Sequence, residues 1–508
     1  MGIFANPLTD LLEYEDFSRD FLKGTDPVGM TGCIDSEKVH FMSTFLGEKK
    51  VQLVVTYNEQ RAREIEEDYK LFCSQVYVIP PRDLIFFSAD LQGNAIIAER
   101  MKAFAALYQN EAKVIITTMD ALMSAAVPFE QLMSHVIKLK EGDELDLEKL
   151  KHDLTVMGYE RVGRVEEPGQ FTVHGGIADV YPLTMEVPVR IELWGDEIDT
   201  IRCFEPQSQR SMDQIECVSV FPAAEVIADD TARRRAVGMI QNELESQLAV
   251  FKKAKEPDKA KRLREETNRI LEALGEDVVL EAPDSYISYF YPRTVQLSEY
   301  FDEKNTLVFL DEPMRLKERG DGVQAEFEES MKNRLEQGFL LPGQTALLTP
   351  AKHVLAAFER GQVAALSSLD SRLADFTVVN SYAVNVQNMN TYREGFELLI
   401  KDLTHWKKEK YRIVLLCPSR TRANRIVNQL IEYDLLAYYS EDEDKKINPG
   451  EIMVTYGNLH RGFLYPMLKF AVITESDIFG VKKKKKEKKS HYQGQRISDF
   501  AQLKPGDY

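Results

Sequence analysis

The residues whose spacing comes nearest to known chemistry are Gly29-Met30-Thr31-Gly32-Cys33-Ile34-Asp35-Ser36. They match the phosphate-binding pattern G-x-x-x-x-G-K-[ST] at its first Gly and its final Ser. The two positions that grip phosphate are altered. Ile34 stands where a second Gly would let the backbone approach, and Asp35 puts a carboxylate where a Lys would meet the β- and γ-phosphates. Such a loop repels ATP. Lys38 follows three residues later and is expected to point from the ensuing helix rather than from the loop, so it does not restore the contact. A second segment, Leu307-Val308-Phe309-Leu310-Asp311-Glu312, has the apolar strand and paired acids that hold magnesium in nucleotide hydrolases. Apolar strands ending in acids are common, and without a loop lysine this one proves little.

The other candidate is a surface rather than a reaction centre. In Phe171 to Arg210, apolar residues alternate through Ile177, Val180 and Tyr181, then Val189, Ile191 and Leu193, then Ile198, Ile201 and Phe204. That period predicts strands of a small sheet, with Gly195-Asp196 as a hairpin turn. Arg190, Glu192 and Trp194 fall on the opposite parity and cannot all be core. A Trp beside an Arg on an exposed strand has the composition of an interface anchor. The competing reading packs Trp194 into its own small domain and leaves Arg190 as a solvated edge charge.

The elements that must position these residues follow from the whole chain. Its 508 residues, 44% of them hydrophobic, exceed one core and predict three or four globular domains. No apolar run approaches the roughly 18 residues that span a bilayer. Asp10, Glu13, Glu15 and Asp16 deny the start a signal-peptide layout, and Asn6 breaks the myristoylation pattern. No membrane association is expected, and the chain reads as cytoplasmic. Five scattered cysteines, Cys33, Cys73, Cys203, Cys217 and Cys417, form neither a zinc pattern nor a disulfide framework. A net charge of −18 opposes a general grip on nucleic acid. The run Lys482 to Lys486 with Lys488 and Lys489 reads as a solvated linker without aromatics to stack bases.

Strand and helix signals alternate through residues 1–125: Val51 to Thr56, Glu59 to Phe72, Val76 to Ile79, Ala98 to Tyr108 and Val114 to Thr117. This predicts a parallel sheet covered by helices. Ala232 to Gly275 reads as a long charged helical stretch with an apolar stripe through Ile240, Leu244, Leu248 and Phe251. Strands at Arg412 to Cys417, Ile452 to Thr455 and Phe470 to Thr474, with a helix from Arg420 to Tyr433, predict another α/β unit. His460, Glu475 and Asp477 in it read as surface or structural residues.

The run Gly175-Gly176-Ile177-Ala178-Asp179-Val180-Tyr181-Pro182, followed by Val189-Arg190-Ile191-Glu192 and Gly195-Asp196-Glu197-Ile198, resembles the UvrA-binding domain shared by UvrB and the bacterial transcription-repair coupling factors. That family contacts UvrA through two arginines and an aromatic residue, which the motif puts at His174, Arg190 and Trp194. His174 departs from the family, being shorter than Arg and only partly charged near neutral pH. The resemblance extends over nearly the whole chain, including Tyr77 to Asn94 and Arg100. It implies an α/β multidomain fold: a degenerate UvrB-like parallel α/β domain split around a small mixed α+β UvrA-binding domain, then a second α/β domain. The expected boundaries are 1–125, 126–221, 222–350 and 375–480, a basic linker at 481–496, and the truncated start of an RNA-polymerase-interacting domain at 497–508.

The resemblance also implies what these residues lack. No catalytic residue, metal or cofactor is expected here, since ATP and magnesium serve a motor absent from this sequence. RNA polymerase and DNA would be met only through missing C-terminal domains, because a barrel cannot form from its first dozen residues. UvrA is the one partner expected, bound constitutively since the region that covers its surface in the family is also missing. Two other readings remain: a fragment of a UvrB-like ATP-dependent repair helicase, and a binder of another ligand in an α/β crevice.

Overall fold

A computed structural model of the chain describes residues 5–48, 50–82, 92–275, 283–370, 376–392, 395–442 and 445–480. The lysine tract, the linker expected at 481–496, the segment 497–508 and part of the stretch from Tyr77 to Asn94 lie outside the described residues.

Val51–Thr56, Val114–Thr118 and Thr306–Asp311 are near-continuous apolar runs, as strands buried on both faces must be. They form the middle of a seven-stranded sheet ordered Asn380–Ala383, Val28–Thr31, Val363–Ser367, Thr306–Asp311, Val51–Thr56, Val114–Thr118, Val76–Ile79. Every pairing in it is parallel. Strands from both sides of the intervening small domain therefore complete one sheet. Two of them lie past residue 350, where the sequence reading ended this unit. Val363–Ser367 is short and alanine-rich, and Asn380–Ala383 is a polar edge strand, so neither has a periodic apolar signal to announce it.

The expected single stretch from Ala232 to Gly275 is two helices, Asp230–Ala254 and Pro257–Gly275, packed on each other. Lys255 turns the chain at φ 57°, and Pro257 opens the second helix. Periodicity alone passes over such a break because Leu244, Phe251 and Leu263 all face the same core.

A six-stranded sheet forms the last unit, ordered Gln387–Asn388, Phe463–Tyr465, Phe470–Thr474, Arg412–Cys417, Ile452–Tyr456, Ala437–Tyr439. Its helix Arg420–Glu432 is capped by Ser419, whose Oγ accepts from the Arg422 N–H. Asp477 is buried and accepts from Gly462 N–H, Thr474 N–H and the Thr474 hydroxyl, each at 2.9 Å. It is a structural residue. Val414, Met453, Phe463, Phe470 and Val472 of this unit share a core cluster with Val39, Phe41 and Met42 of the first, so the two pack as one body.

A polar network lies inside that junction. Tyr465 donates its hydroxyl to Glu37 at 2.6 Å, the Ile34 N–H donates to the same carboxylate at 3.1 Å, and His40 stacks on Phe463 at 5.1 Å. Burial pushes Glu37 up to about 7, against the pull of these donors. A carboxyl raised on folding contributes stability that is complete below its unfolded value and is lost as pH rises through about 7. Glu37→Gln keeps one acceptor oxygen, removes the titrating group and should flatten the fall in urea midpoint between about pH 5 and pH 7.5. An unchanged slope would place the titration elsewhere.

Candidate functional site

The loop Gly29 to Ser36 runs from the strand Val28–Thr31 into the helix Asp35–Ser43, the strand–turn–helix context that a phosphate loop occupies. Its helix starts with Asp35 at φ 30°, an uncommon conformation for a residue with a side chain. Asp311 and Glu312 end the central strand beside it.

Lys38 projects from the helix Asp35–Ser43 rather than from the loop. On the first helical turn it reaches the acids, with Nζ at 2.6 Å from Asp311 Oδ1 and 2.7 Å from Glu312 Oε1, and it is 3% exposed. Thr56 donates its hydroxyl to Asp311 Oδ2 at 2.8 Å, and Arg61 Nε approaches the same oxygen at 3.4 Å. Burial disfavours all these charges, but Lys38 and Arg61 overcome it and hold Asp311 at about 2. Lysine thus sits as the counter-ion of the acids that would hold magnesium. Arg61 also donates to the Asp35 carbonyl at 2.8 Å, tying the loop to the same cluster. The remaining cleft is about 200 Å³, lined by Asp35, Lys38, Tyr57, Arg61, Glu312 and Arg315 among others. Three carboxylates balance three cations there, so it offers no surplus positive charge to a polyphosphate. Among the described residues no group of three or more His, Cys, Asp or Glu side chains could hold a metal ion, and no helix is long and apolar enough to cross a membrane.

The second candidate lies on an antiparallel sheet ordered Ser211–Gln214, Glu197–Phe204, Val189–Trp194, Ile177–Val180, Gln170–His174, with Glu160–Arg161 added in parallel at the end. Val173, Ala178, Val189, Ile191, Ile198 and Ile201 form its core with Leu150 and Leu154 of the helix Leu147–Val156. Two turns, Gly175-Gly176 and Gly195-Asp196, close hairpins at the same end of the sheet, and the Leu193 N–H donates to Gly176 O at 2.8 Å to link them. Gly175 and Gly195 have φ of 59° and 66°, which glycine adopts without strain.

At that end Trp194 is 84% exposed and Ile177 is 40% exposed. His174, also exposed, pairs across the hairpin with Ile177, and its Nδ1 lies 2.7 Å from the Val173 carbonyl. Glu192, the cross-strand neighbour of Ile177, brings the end of Trp194's strand against this hairpin. The reading that packs Trp194 into its own domain is overturned. Leu193 still packs against the core, so Trp194, one residue on, projects from the opposite face with Arg190 and Glu192.

Comparison with known families adds to this geometry. Residues 137–225 match the UvrB interaction domain, and residues 405–478 match the MFD, D3 domain. Transcription-repair-coupling factors align with the chain almost end to end: that of Bacillus subtilis is 28% identical over 99% of the chain, that of Staphylococcus epidermidis 28% over 100%. The chain is thus similar to transcription-repair-coupling factors along nearly its whole length. It spans 43% of the length of each of those two relatives.

Arg190 stands apart from the other two expected contact residues. It sits at the far end of the strand, where Nε and Nη2 each donate to the Asp179 carboxylate at 2.8 Å. Its guanidinium lies 4.7 Å from the Phe204 ring centroid, and Nη2 is 3.4 Å from Gln209 Oε1. Asp179 is 6% exposed, so the pair is half inside the domain. His174 and Trp194 are thus brought together, while Arg190 is held one strand length away with its fork engaged. Sequence reasoning missed Asp179 as that anchor and Ile177 as exposed surface. The first was legible as an acid at strand parity opposite an arginine. The second was not, because an apolar residue in an alternating run reads as core.

Proposed function

We propose that the chain acts as a recruiting module: it binds UvrA through the hairpin end of the small sheet and so brings nucleotide-excision repair to stalled RNA polymerase. The observation that carries this reading is Trp194, almost fully exposed beside His174 and Ile177 within the segment that matches the UvrB interaction domain. An exposed Trp flanked by an exposed Ile is the composition of a binding hot spot. Calorimetric titration against UvrA from the same organism tests it. Binding in the micromolar range or tighter that collapses in Trp194→Ala supports the module. Binding indifferent to that change moves the contact elsewhere.

In this reading no bond is made or broken by these residues, and ATP and magnesium belong to a motor of the wider family. Lys38 in its ion pair with Asp311 and Glu312 supports that view. Magnesium-ATP at about 1 mM should therefore leave the melting temperature unchanged, whereas a ligand at 100 times its Kd would add about 2.7 kcal/mol. A clear rise would favour the UvrB-like enzyme instead.

A further inference from the structure

The chain's strong negative charge makes any unpaired positive cluster conspicuous, and one lies where the helix Asp230–Ala254 gives way to Pro257–Gly275. Lys252, Lys255, Lys261 and Arg264 rim a groove of about 450 Å³ between the two helices, over a floor that includes Leu248, Ala249 and Ala260. All four cations are exposed. Lys261 has Glu265 at 3.8 Å, a solvated pair on its own helix, while Glu256 is drawn to Lys259 at 2.9 Å. Among the described residues no carboxylate pairs with Lys252, Lys255 or Arg264.

The placement of Lys255 argues that its side chain is wanted there. It occupies the left-handed turn, φ 57°, that ends the first helix. Gly or Asn fills such a position at lowest cost. Lys252 and Lys253 in the last turn do suit the negative end of that helix. Lys261 and Arg264 gain nothing of that kind, because they lie in the first half of the next helix, near its positive end.

We propose that this helical-hairpin tip contacts the phosphate backbone of duplex nucleic acid, a surface separate from the hairpin end of the small sheet assigned to UvrA. Phosphates are met by clustered Lys and Arg irrespective of sequence. The groove has no aromatic side chain on which a splayed base could stack, which favours a duplex over a single strand. Its cations come from two facing helices, so they can span successive phosphates. The binding is weak and steeply salt dependent, because four contacts act against a net charge of −18.

The test uses the full chain with the lysines at 482–486, 488 and 489 changed to glutamine in every arm, so that the tract cannot supply the signal. A fluorescein-labelled blunt duplex of about 25 base pairs is titrated by anisotropy at several salt concentrations. Compared with the otherwise native chain, Lys252→Glu/Lys255→Glu/Lys261→Glu/Arg264→Glu should weaken binding at least tenfold at low salt and lower the salt slope by about 3 to 4. An unchanged circular-dichroism melt of this variant would show that the helices persist, and Lys→Gln and Arg→Gln replacements at the same four sites should give a smaller loss in the same direction. Duplex binding that ignores both variants, or no duplex binding at low salt, overturns the proposal. So does tighter binding of poly-glutamate than of the duplex at equal charge concentration, which would assign the groove to an acidic polypeptide.

Discussion

Lys38→Met should destabilise the first unit by about 3 to 5 kcal/mol, the loss expected when one partner of a buried ion pair is removed and the other stays charged. Lys38, Asp311 and Glu312 form a bridged triad in which Lys38 and Asp311 are almost wholly buried. Methionine replaces the lysine stem with similar volume, so little of the effect would come from a cavity. What remains is an Asp311 carboxylate held only by the Thr56 hydroxyl and by Arg61 at 3.4 Å. The measurement is urea unfolding read by hydrogen exchange of the strand Thr306–Asp311, which isolates this unit from the other sheets. Lys38→Met/Asp311→Asn should recover part of the loss, because the second change removes the stranded charge. A cost under about 1 kcal/mol for the single variant would mean that water reaches the acids and that the lysine is not their counter-ion.

The same triad fixes a pH dependence. Asp311 is held at about 2 in the folded chain, below the ordinary carboxylate value. A carboxyl lowered on folding contributes stability that is present above its unfolded pKa and lost as pH falls through the folded one. Acid unfolding of the native chain should therefore steepen between about pH 4 and pH 2, and Lys38→Met should lose that steepening.

The sequence disclosed the elements more readily than their assembly. Val51–Thr56, Val76–Ile79, Arg412–Cys417 and Phe470–Thr474 were readable at their observed limits because buried parallel strands are unbroken apolar runs between turn residues. Asn380–Ala383 carries no such run, and only its pairing with Val28–Thr31 reveals it as an edge of the first sheet. The altered phosphate loop was equally legible, since Ile34 and Asp35 are substitutions at fixed offsets. The destination of Lys38 was not. It depends on the central strand, 273 residues away in sequence, arriving beside the helix, and no local pattern encodes that. Likewise Arg190 and Trp194 share a strand and a parity, which suggested one surface, yet the bonds to Asp179 separate their roles.

That separation makes the UvrA experiment informative about each residue. Trp194→Ala should weaken UvrA binding by about 2 kcal/mol, near thirtyfold, as loss of an interface anchor does. It should leave stability within about 0.5 kcal/mol, because the indole touches solvent over most of its surface. Arg190→Ala should weaken binding and also destabilise the small domain by about 1 to 3 kcal/mol, since the Asp179 carboxylate loses both of its donors. Two causes are then mixed in one variant: a lost contact to the partner, and a carboxylate stranded on an interior strand of the sheet. Arg190→Ala/Asp179→Asn resolves them. An amide in place of the stranded carboxylate should return most of the stability. If Arg190 itself reaches the partner when bound, affinity stays low while stability recovers. Recovery of both would make Arg190 a positioning residue that braces the strand behind Trp194, and the contact surface would reduce to Trp194, His174 and Ile177.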